Sequence, residues 1–534
     1  MKPGFRKDEL VYFILFAIVS VIPFWLVKYV PSLDGPQHLY NARLITELLK
    51  GNSFISQYFT LNPVIVGNST AHFSMAFLMF ICPPWLAEKI VLTLYILGLG
   101  LSFRYFIRSI DRSGSLIYLI IFPLGFNSLF LMGYYNFCIA FIPFFLSLGF
   151  IKRNELHPGI WGFFWLALLF IGIYVSHAVV FVFTGLIIFI QMMVEICYNL
   201  WMKTASMKEW AKVAKKYLVI LAAAIPAIYL WIVYFLSVDN KKPPSDVEGF
   251  DSIILTLNNL INLKFLVGFN HEKEDGPVIM TMVALAAITL IILFRQRIKY
   301  TRSGPADSGI KYEWVRWGTI SLVLLLLIFL LPDHMTTGSI TIRLNILFIF
   351  ILVTWISLHK LPKPIIHIIL SLILVAFVWH RFVILHYYKE LNIQIHDMES
   401  VNPHMKPNST LFPINCSENW LEGHFHCYLG VEKPIVNIQN PQSFGQMPVV
   451  WKFKNMPNAL LGRQDLEIAG IIWLEDERNR KDVPVDYIFI IRSERIEKVG
   501  NAKALMDKIN PYYTEVFCSR RGKSKLLSLK EEFR

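Results

Sequence analysis

Apolar runs of about 17 to 25 residues, each long enough to cross a bilayer as a helix, recur along this chain from Leu10 to Phe382. Lipid offers no hydrogen-bond partners, so such segments satisfy their backbone groups internally and fold as packed helices. The runs fall at about 10–30, 85–107, 114–131, 134–151, 159–175, 177–199, 217–237, 277–294, 314–331, 340–358 and 363–382, which predicts about eleven spans. Of the 534 residues 55% are apolar and only 17% are charged, well below the roughly one quarter usual in soluble proteins.

A formal net charge of +13 raises nucleic acid as a partner. The lysines and arginines lie mostly in short loops between spans, and no basic helix or aromatic-basic platform accompanies them, so nucleic acid is excluded. With the N-terminus inside, twenty-one basic residues fall in inner loops and their flanks, against six in the outer loops before residue 339. Cytoplasmic loops carry that excess, which sets the orientation. The first run follows Lys2, Arg6 and Lys7 like a signal peptide, but it is long and lacks a small-x-small cleavage pattern, so it reads as a retained span. Residues 72–84 are apolar but short and end at Pro83-Pro84. They read as a re-entrant half-span, which is tolerated only when buried in protein.

Residues 1–382 thus form the transmembrane domain, with a first outer loop at 31–70, and residues 383–534 form a soluble domain with no spanning run. An odd number of crossings places that domain outside. Within it, 485–491 and 512–518 read as strands and 494–509 as an amphipathic helix. The fold class expected is an α-helical polytopic membrane protein, N-terminus inside, with a small extracytoplasmic α/β C-terminal domain. The loop 238–276 turns amphipathic from Ile253 to Leu266, like a helix lying on the membrane surface.

Ionisable residues near a membrane are costly, so their gathering at the outer span ends marks a candidate site. Directly after the first span comes Asp34-Gly35-Pro36-Gln37-His38. Asp34 as N-cap, Pro36 in the first turn and Gln37 at N3 make a capping box for a helix to about Lys50, which would lie in the outer interface. The same carboxylate suits a general base, with His38 one turn on to orient it or to bind a phosphate. Tyr134, Tyr135 and Asn136 open another span and could contact sugar hydroxyls. Ser176-His177 makes a tight outer turn. Asp333 and His334 occupy a compact outer loop, and Arg343 follows just inside a span, where a guanidinium grips an anion such as a lipid-linked phosphate.

A metal on Asp34 and His38 would need further ligands, for which His72, His177 or His334 are available; no spacing requires one, so a divalent metal is left open and no cofactor is assigned. Cys416 and Cys427 could pair in an oxidising compartment, and His424, His426 and Cys427 group metal-binding residue types. Asn68-Ser69-Thr70, Asn408-Ser409-Thr410 and Asn415-Cys416-Ser417 fit glycosylation sequons. There is no GxSxG elbow, Walker loop, HExxH or dinucleotide fingerprint in a fitting context.

The first span, the outer-loop Asp34 opening a helix, the many further spans, the outer C-terminal domain and the outer Pro-loop before Arg343 together resemble the GT-C superfamily of polytopic membrane glycosyltransferases. That resemblance implies a polyprenyl-phosphate sugar as donor and a glycan, lipid or protein hydroxyl as acceptor. It implies Asp34 and His38 in catalysis, Arg343, Arg43 and His177 at the donor phosphate, and Tyr135, Asn136, Asp333 and His334 at substrate. The membrane would be a plasma, inner or endoplasmic reticulum membrane with the active site extracytoplasmic. Many such enzymes carry a second acidic residue beside the first, where this chain has His38, and the Trp-Trp-Asp motif of oligosaccharyltransferases is absent. The alternatives are a lipid or solute transporter, which predicts broken helices at the midplane and an internal repeat, and a non-catalytic membrane scaffold in which Asp34 is only a cap.

Overall fold

The computed structural model describes residues 5–111, 115–154, 159–201, 206–237, 250–300, 308–331, 340–359, 361–443, 447–452, 485–498, 506–507 and 509–533. Among them, nine helices are long and apolar enough to cross a membrane, and two shorter apolar segments, Leu116–Leu131 and Ile160–Ser176, complete the set. The chain is an α-helical integral membrane protein with a small sheet toward its C-terminus. It divides into two compact units, one of Met1–Leu26 with Leu92–His386, the other of Val27–Val91 with Tyr387–Arg534.

In the first unit the apolar runs become helices much as their lengths require, with one exception. The expected span 114–131 is a 3-10 turn over Leu116–Ile120, a short helix over Ile121–Gly125 and another over Ser128–Leu131. Pro123 lacks an amide hydrogen, and Phe126 leaves helical torsions (φ −93°, ψ 55°). Asn127 restarts the helix by accepting from the Phe130 amide at 3.0 Å. All of these turns are buried in protein, the setting in which broken backbone is tolerated at membrane depth.

The span ends assigned to the inner side by loop charge meet in this unit. Asp111, Asn154, Asn199, Lys212, Glu313 and Leu358, from six different helix ends, line one cavity of about 760 Å³. The buried Glu9 carboxylate gathers the same class of ends: Arg104 Nε and Arg108 Nη2 lie 2.7 Å from it, and the Tyr118 hydroxyl donates to it at 3.0 Å. Alternation of the spans is therefore reproduced by packing as well as by charge.

The second unit joins the loop that follows the first span to the C-terminal segment. Its five-stranded sheet is built from β2 (Ser409–Asn415), β3 (Ile435–Asn437), β5 (Tyr487–Ile491), β6 (Tyr513–Cys518) and β7 (Ser524–Leu529). The order is β3-β2-β5-β7-β6, with β2 parallel to both neighbours and β7 antiparallel to β5 and β6. Phe412, Ile414, Ile488, Ile490 and Leu527 form its core. A separate pair, β1 (Phe59–Leu61) with β4 (Val449–Trp451), ties that loop to the C-terminal segment, and Phe59 stacks on Trp451 at 4.0 Å.

Three expectations need correction here. The helix predicted over 494–509 begins as a 3-10 helix, Ser493–Lys498, and is α-helical at 506–507 and 509, while 499–505 and 508 lie outside the described residues. The last spanning helix does not end with its apolar run at Phe382 but continues to Glu399, about 55 Å in all. Beyond Phe382 it buries Ile384, Tyr388, Leu391, Ile395 and Met398, a three-and-four spacing that keeps one face apolar. The helix Gly35–Leu49 forms as expected, yet it is enclosed rather than laid on an interface, with Gln37, His38, Asn41, Thr46 and Glu47 all buried. Its polar groups find partners in the C-terminal segment: Asn440 Nδ2 donates to Asn41 Oδ1 at 2.6 Å, and the Tyr40 hydroxyl bridges Ile435 O and the Asn437 amide.

The segment 72–84 holds a nine-residue helix, Thr70–Leu78. At about 14 Å it is half the length that a bilayer core of ~30 Å requires. Thr46 Oγ1 donates to Ala42 O and Ala76 O, fastening it to the enclosed helix.

Candidate functional site

Asp34 occupies the turn between the first span and the helix Gly35–Leu49. It does not make the expected capping box. Asp34 has helical torsions (φ −93°, ψ −16°) and its side chain accepts no bond from the helix N-terminus. The Gly35 amide is served by Ser32 Oγ at 3.1 Å instead, and Pro36 has no amide hydrogen to be capped. Its carboxylate is left available for other chemistry.

The Asp34 side chain is 18% exposed, and His424 Nε2 stands 3.8 Å from its Oδ1, too far for a hydrogen bond. Burial pushes the Asp34 carboxyl up to about 7 and the His424 imidazole down to about 4. Removal from water disfavours charge on both. Near neutral pH His424 is therefore uncharged and Asp34 is near its midpoint, so the contact is not an ion pair. A carboxyl at its midpoint near pH 7 is suited to general acid–base work, and perturbed acids of this kind concentrate at functional sites.

His38 belongs to a different pair. Its Nδ1 lies 2.8 Å from His72 Nε2, and His72 Nδ1 lies 3.1 Å from Asn68 O. A carbonyl only accepts, so His72 carries its proton on Nδ1 and its Nε2 accepts from His38 Nδ1–H. Burial pushes His72 down to about 4 and keeps it neutral. His38 Nδ1 thus donates to His72, whereas the sequence reading turned His38 toward Asp34 or toward a phosphate. Arg43 Nη2 lies 3.0 Å from Glu47 Oε1 one turn on, which neutralises the charge expected at a phosphate.

The first unit brings a second group together. Arg343, 6% exposed, comes from the helix Ile340–Ser357 and holds its guanidinium 5.8 Å from the ring centres of Tyr134 and Phe137. The Phe137 ring packs edge-on against His177 at 5.3 Å, in the turn between Ile160–Ser176 and Ala178–Trp201. These groups lie at the helix ends opposite those that line the 760 Å³ cavity. Tyr135 and Asn136 are buried on the helix Tyr135–Ile139, and Tyr135 packs on Phe130 at 5.8 Å. Asp333 and His334 lie outside the described residues.

The sequence reading overlooked two features. His424 was noted only as part of a metal-like group, and its proximity to Asp34 joins positions nearly four hundred residues apart. Arg381 is another buried arginine of the first unit, 3.9 Å from the Phe126 ring centre. Its Nη2 meets His380 Nδ1 at 3.0 Å, and His380 Nε2 meets Glu274 at 3.0 Å. An arginine late in a long apolar run was its only sequence signal.

Cys416 and Cys427 are both free and buried, so the disulfide considered from sequence is not formed. His426 Nδ1 is engaged by Asn437 Nδ2 at 2.7 Å. Among the described residues no group of three or more histidine, cysteine or acidic side chains is arranged to hold a metal ion. Asp34 with His424 and His38 with His72 are pairs, not ligand sets.

No protein-family model matches the chain, and no curated protein matches it in sequence. Among solved structures, it is similar to ArnT from Cupriavidus metallidurans bound to undecaprenyl phosphate, with 11% identity and a TM-score of 0.43 over 99% of each chain.

Proposed function

We propose that this protein is a membrane glycosyltransferase that moves a sugar from a polyprenyl-phosphate donor to an acceptor hydroxyl at the extracytoplasmic face. The observation that carries this reading is Asp34: a carboxyl that follows the first span in the chain, released from helix capping and pushed up to about 7 by burial. In the reaction the acceptor oxygen attacks the anomeric carbon, the bond from that carbon to the phosphate oxygen breaks, and Asp34 takes the acceptor's proton. The lipid phosphate leaves with an added negative charge.

Arg343 holds that phosphate. A buried guanidinium among aromatic rings is poorly hydrated and gains more from a phosphate than an exposed one does. His177, close enough to feel the Arg343 charge, assists in orienting the anion. Tyr135 and Asn136 belong to the substrate-binding wall, and the sheet-bearing unit contributes to acceptor recognition. His38 acts through His72 to fix the helix that follows Asp34. Arg43 has no part, because Glu47 already neutralises it, and no step runs through a metal.

The test is mass spectrometry of lipid and glycan extracts from cells with and without the protein. The expected result is loss of one sugar from a glycan or lipid together with accumulation of the polyprenyl-phosphate form of the same sugar. Unchanged glycans and unchanged lipid-linked sugars would overturn the reading.

A further inference from the structure

We propose that His424 is the second catalytic group of the Asp34 site: its Nε2–H holds the acceptor hydroxyl oxygen while Asp34 Oδ1 takes that oxygen's proton. This role rests on the reading of Asp34 as the base in sugar transfer and adds the group that fixes the nucleophile. Both residues belong to the second unit.

The separation of the two atoms suits one oxygen. At 3.8 Å they are too far apart to hydrogen-bond each other, yet an oxygen about 2.8 Å from each lies within reach of both. Among the described residues neither side chain hydrogen-bonds to another residue, although both are mostly enclosed, Asp34 at 18% exposure and His424 at 25%. Polar groups so enclosed are costly unless a partner serves them, and the exposure that remains lets a substrate reach them. A hydroxyl serves both at once, because it donates its proton one way and accepts on a lone pair the other.

The surroundings hold His424 in place and leave its ring to this use. It lies on the 3-10 helix Trp420–Tyr428, capped where Asn419 Oδ1 accepts from the Leu421 amide at 3.1 Å. Two residues before it, the buried Glu422 accepts from Arg492 Nε at 2.9 Å, and the Glu422 carbonyl accepts from Asn415 Nδ2 at 3.0 Å. Two residues after it, Asn437 Nδ2 donates to His426 Nδ1 at 2.7 Å. Anchors on both sides pre-organise the ring between them. The other titratable groups around the pair carry no charge near pH 7: burial pushes His426 down to about 3 and the Cys427 thiol up, and His38 is engaged with His72.

In the step, one lone pair of the acceptor oxygen accepts from His424 and the other forms the bond to the anomeric carbon. The hydroxyl proton passes to Asp34. The bond from the anomeric carbon to the phosphate oxygen breaks, and its electron pair stays on the phosphate. His424, uncharged near neutral pH, keeps its proton throughout.

Two amide substitutions of similar polarity separate this role from packing. Glutamine extends its N–H to about the place of Nε2, whereas asparagine reaches only that of Nδ1. The assay adds purified full-length protein to membranes of cells that lack it, which carry donor and acceptor both. Mass spectrometry then follows the sugar from polyprenyl phosphate to its acceptor at about pH 9, where the Asp34 carboxyl is ionised. The expected result is a loss of about tenfold to a hundredfold in His424→Asn. His424→Gln should stay within about threefold of wild type, with equal melting temperatures in the two variants. Equal rates in the two variants, or a wild-type rate in His424→Asn, would overturn the proposal and leave Asp34 as the base. No transfer by the wild type would overturn the functional reading along with it.

Discussion

Asp34→Asn should make the protein more stable at pH 8 than the wild type while leaving stability at pH 4 nearly unchanged. The folded protein holds the Asp34 carboxyl at about 7, against an ordinary 3.8. Between those values the folded state binds more protons at this site than the unfolded state, so stability falls as pH rises through that window. Above about pH 7 the penalty is complete. A displacement of about three pH units corresponds to about 4 kcal/mol at most. The side chain is 18% exposed, and water reaching it lowers the figure to about 2–3 kcal/mol. Asparagine keeps the shape and carries no charge, so it escapes the penalty. The assay is denaturation in detergent followed by intrinsic fluorescence at pH 4, 6 and 8, for wild type and variant. His72 and His424, both held down to about 4, add an opposite trend in both proteins, which cancels in the difference. A difference that does not change with pH would refute the buried-carboxylate reasoning.

Transfer activity should rise with pH through about 7 as Asp34 ionises, and His424→Gln should displace that midpoint while wild-type folding persists; a profile flat from pH 5 to 9 contradicts this. Arg343→Lys should lower turnover by roughly tenfold to a hundredfold, because an ammonium cannot grip phosphate bidentately; steady-state kinetics against the lipid donor would reveal it. Glu9→Ala removes the carboxylate shared by Arg104, Arg108 and Tyr118 and should cost about 3 kcal/mol, seen as a lowered melting temperature. Gly430→Ala should cost about 1–3 kcal/mol, since its Cβ would come within 2.4 Å of the Tyr40 ring; a melting temperature equal to wild type would contradict the packing described.

The helical bundle was legible because membrane crossing imposes a length and an apolarity that each span writes out in sequence. Its exception, 114–131, carries Pro123, Gly125 and Asn127, all readable as breakers, yet the apolar run outweighed them. The enclosed helix Gly35–Leu49 was misjudged for a different reason. Its polar residues look solvent-facing until Asn440, Ile435 and Asn437 arrive from the far end of the chain. Asp34 was legible as a singular carboxylate after a span, and Arg343 as a cation at depth. That Asp34 is not a cap depends on torsions at one residue and on Ser32. The His424 contact depends on a long-range approach that no local pattern encodes.

The most direct test is mass spectrometry of surface glycans in a strain lacking the protein and complemented, at equal protein levels, with wild type or Asp34→Asn. Because asparagine removes the base without loss of stability, the missing sugar should return with wild type alone. Full restoration by Asp34→Asn would contradict transfer through Asp34.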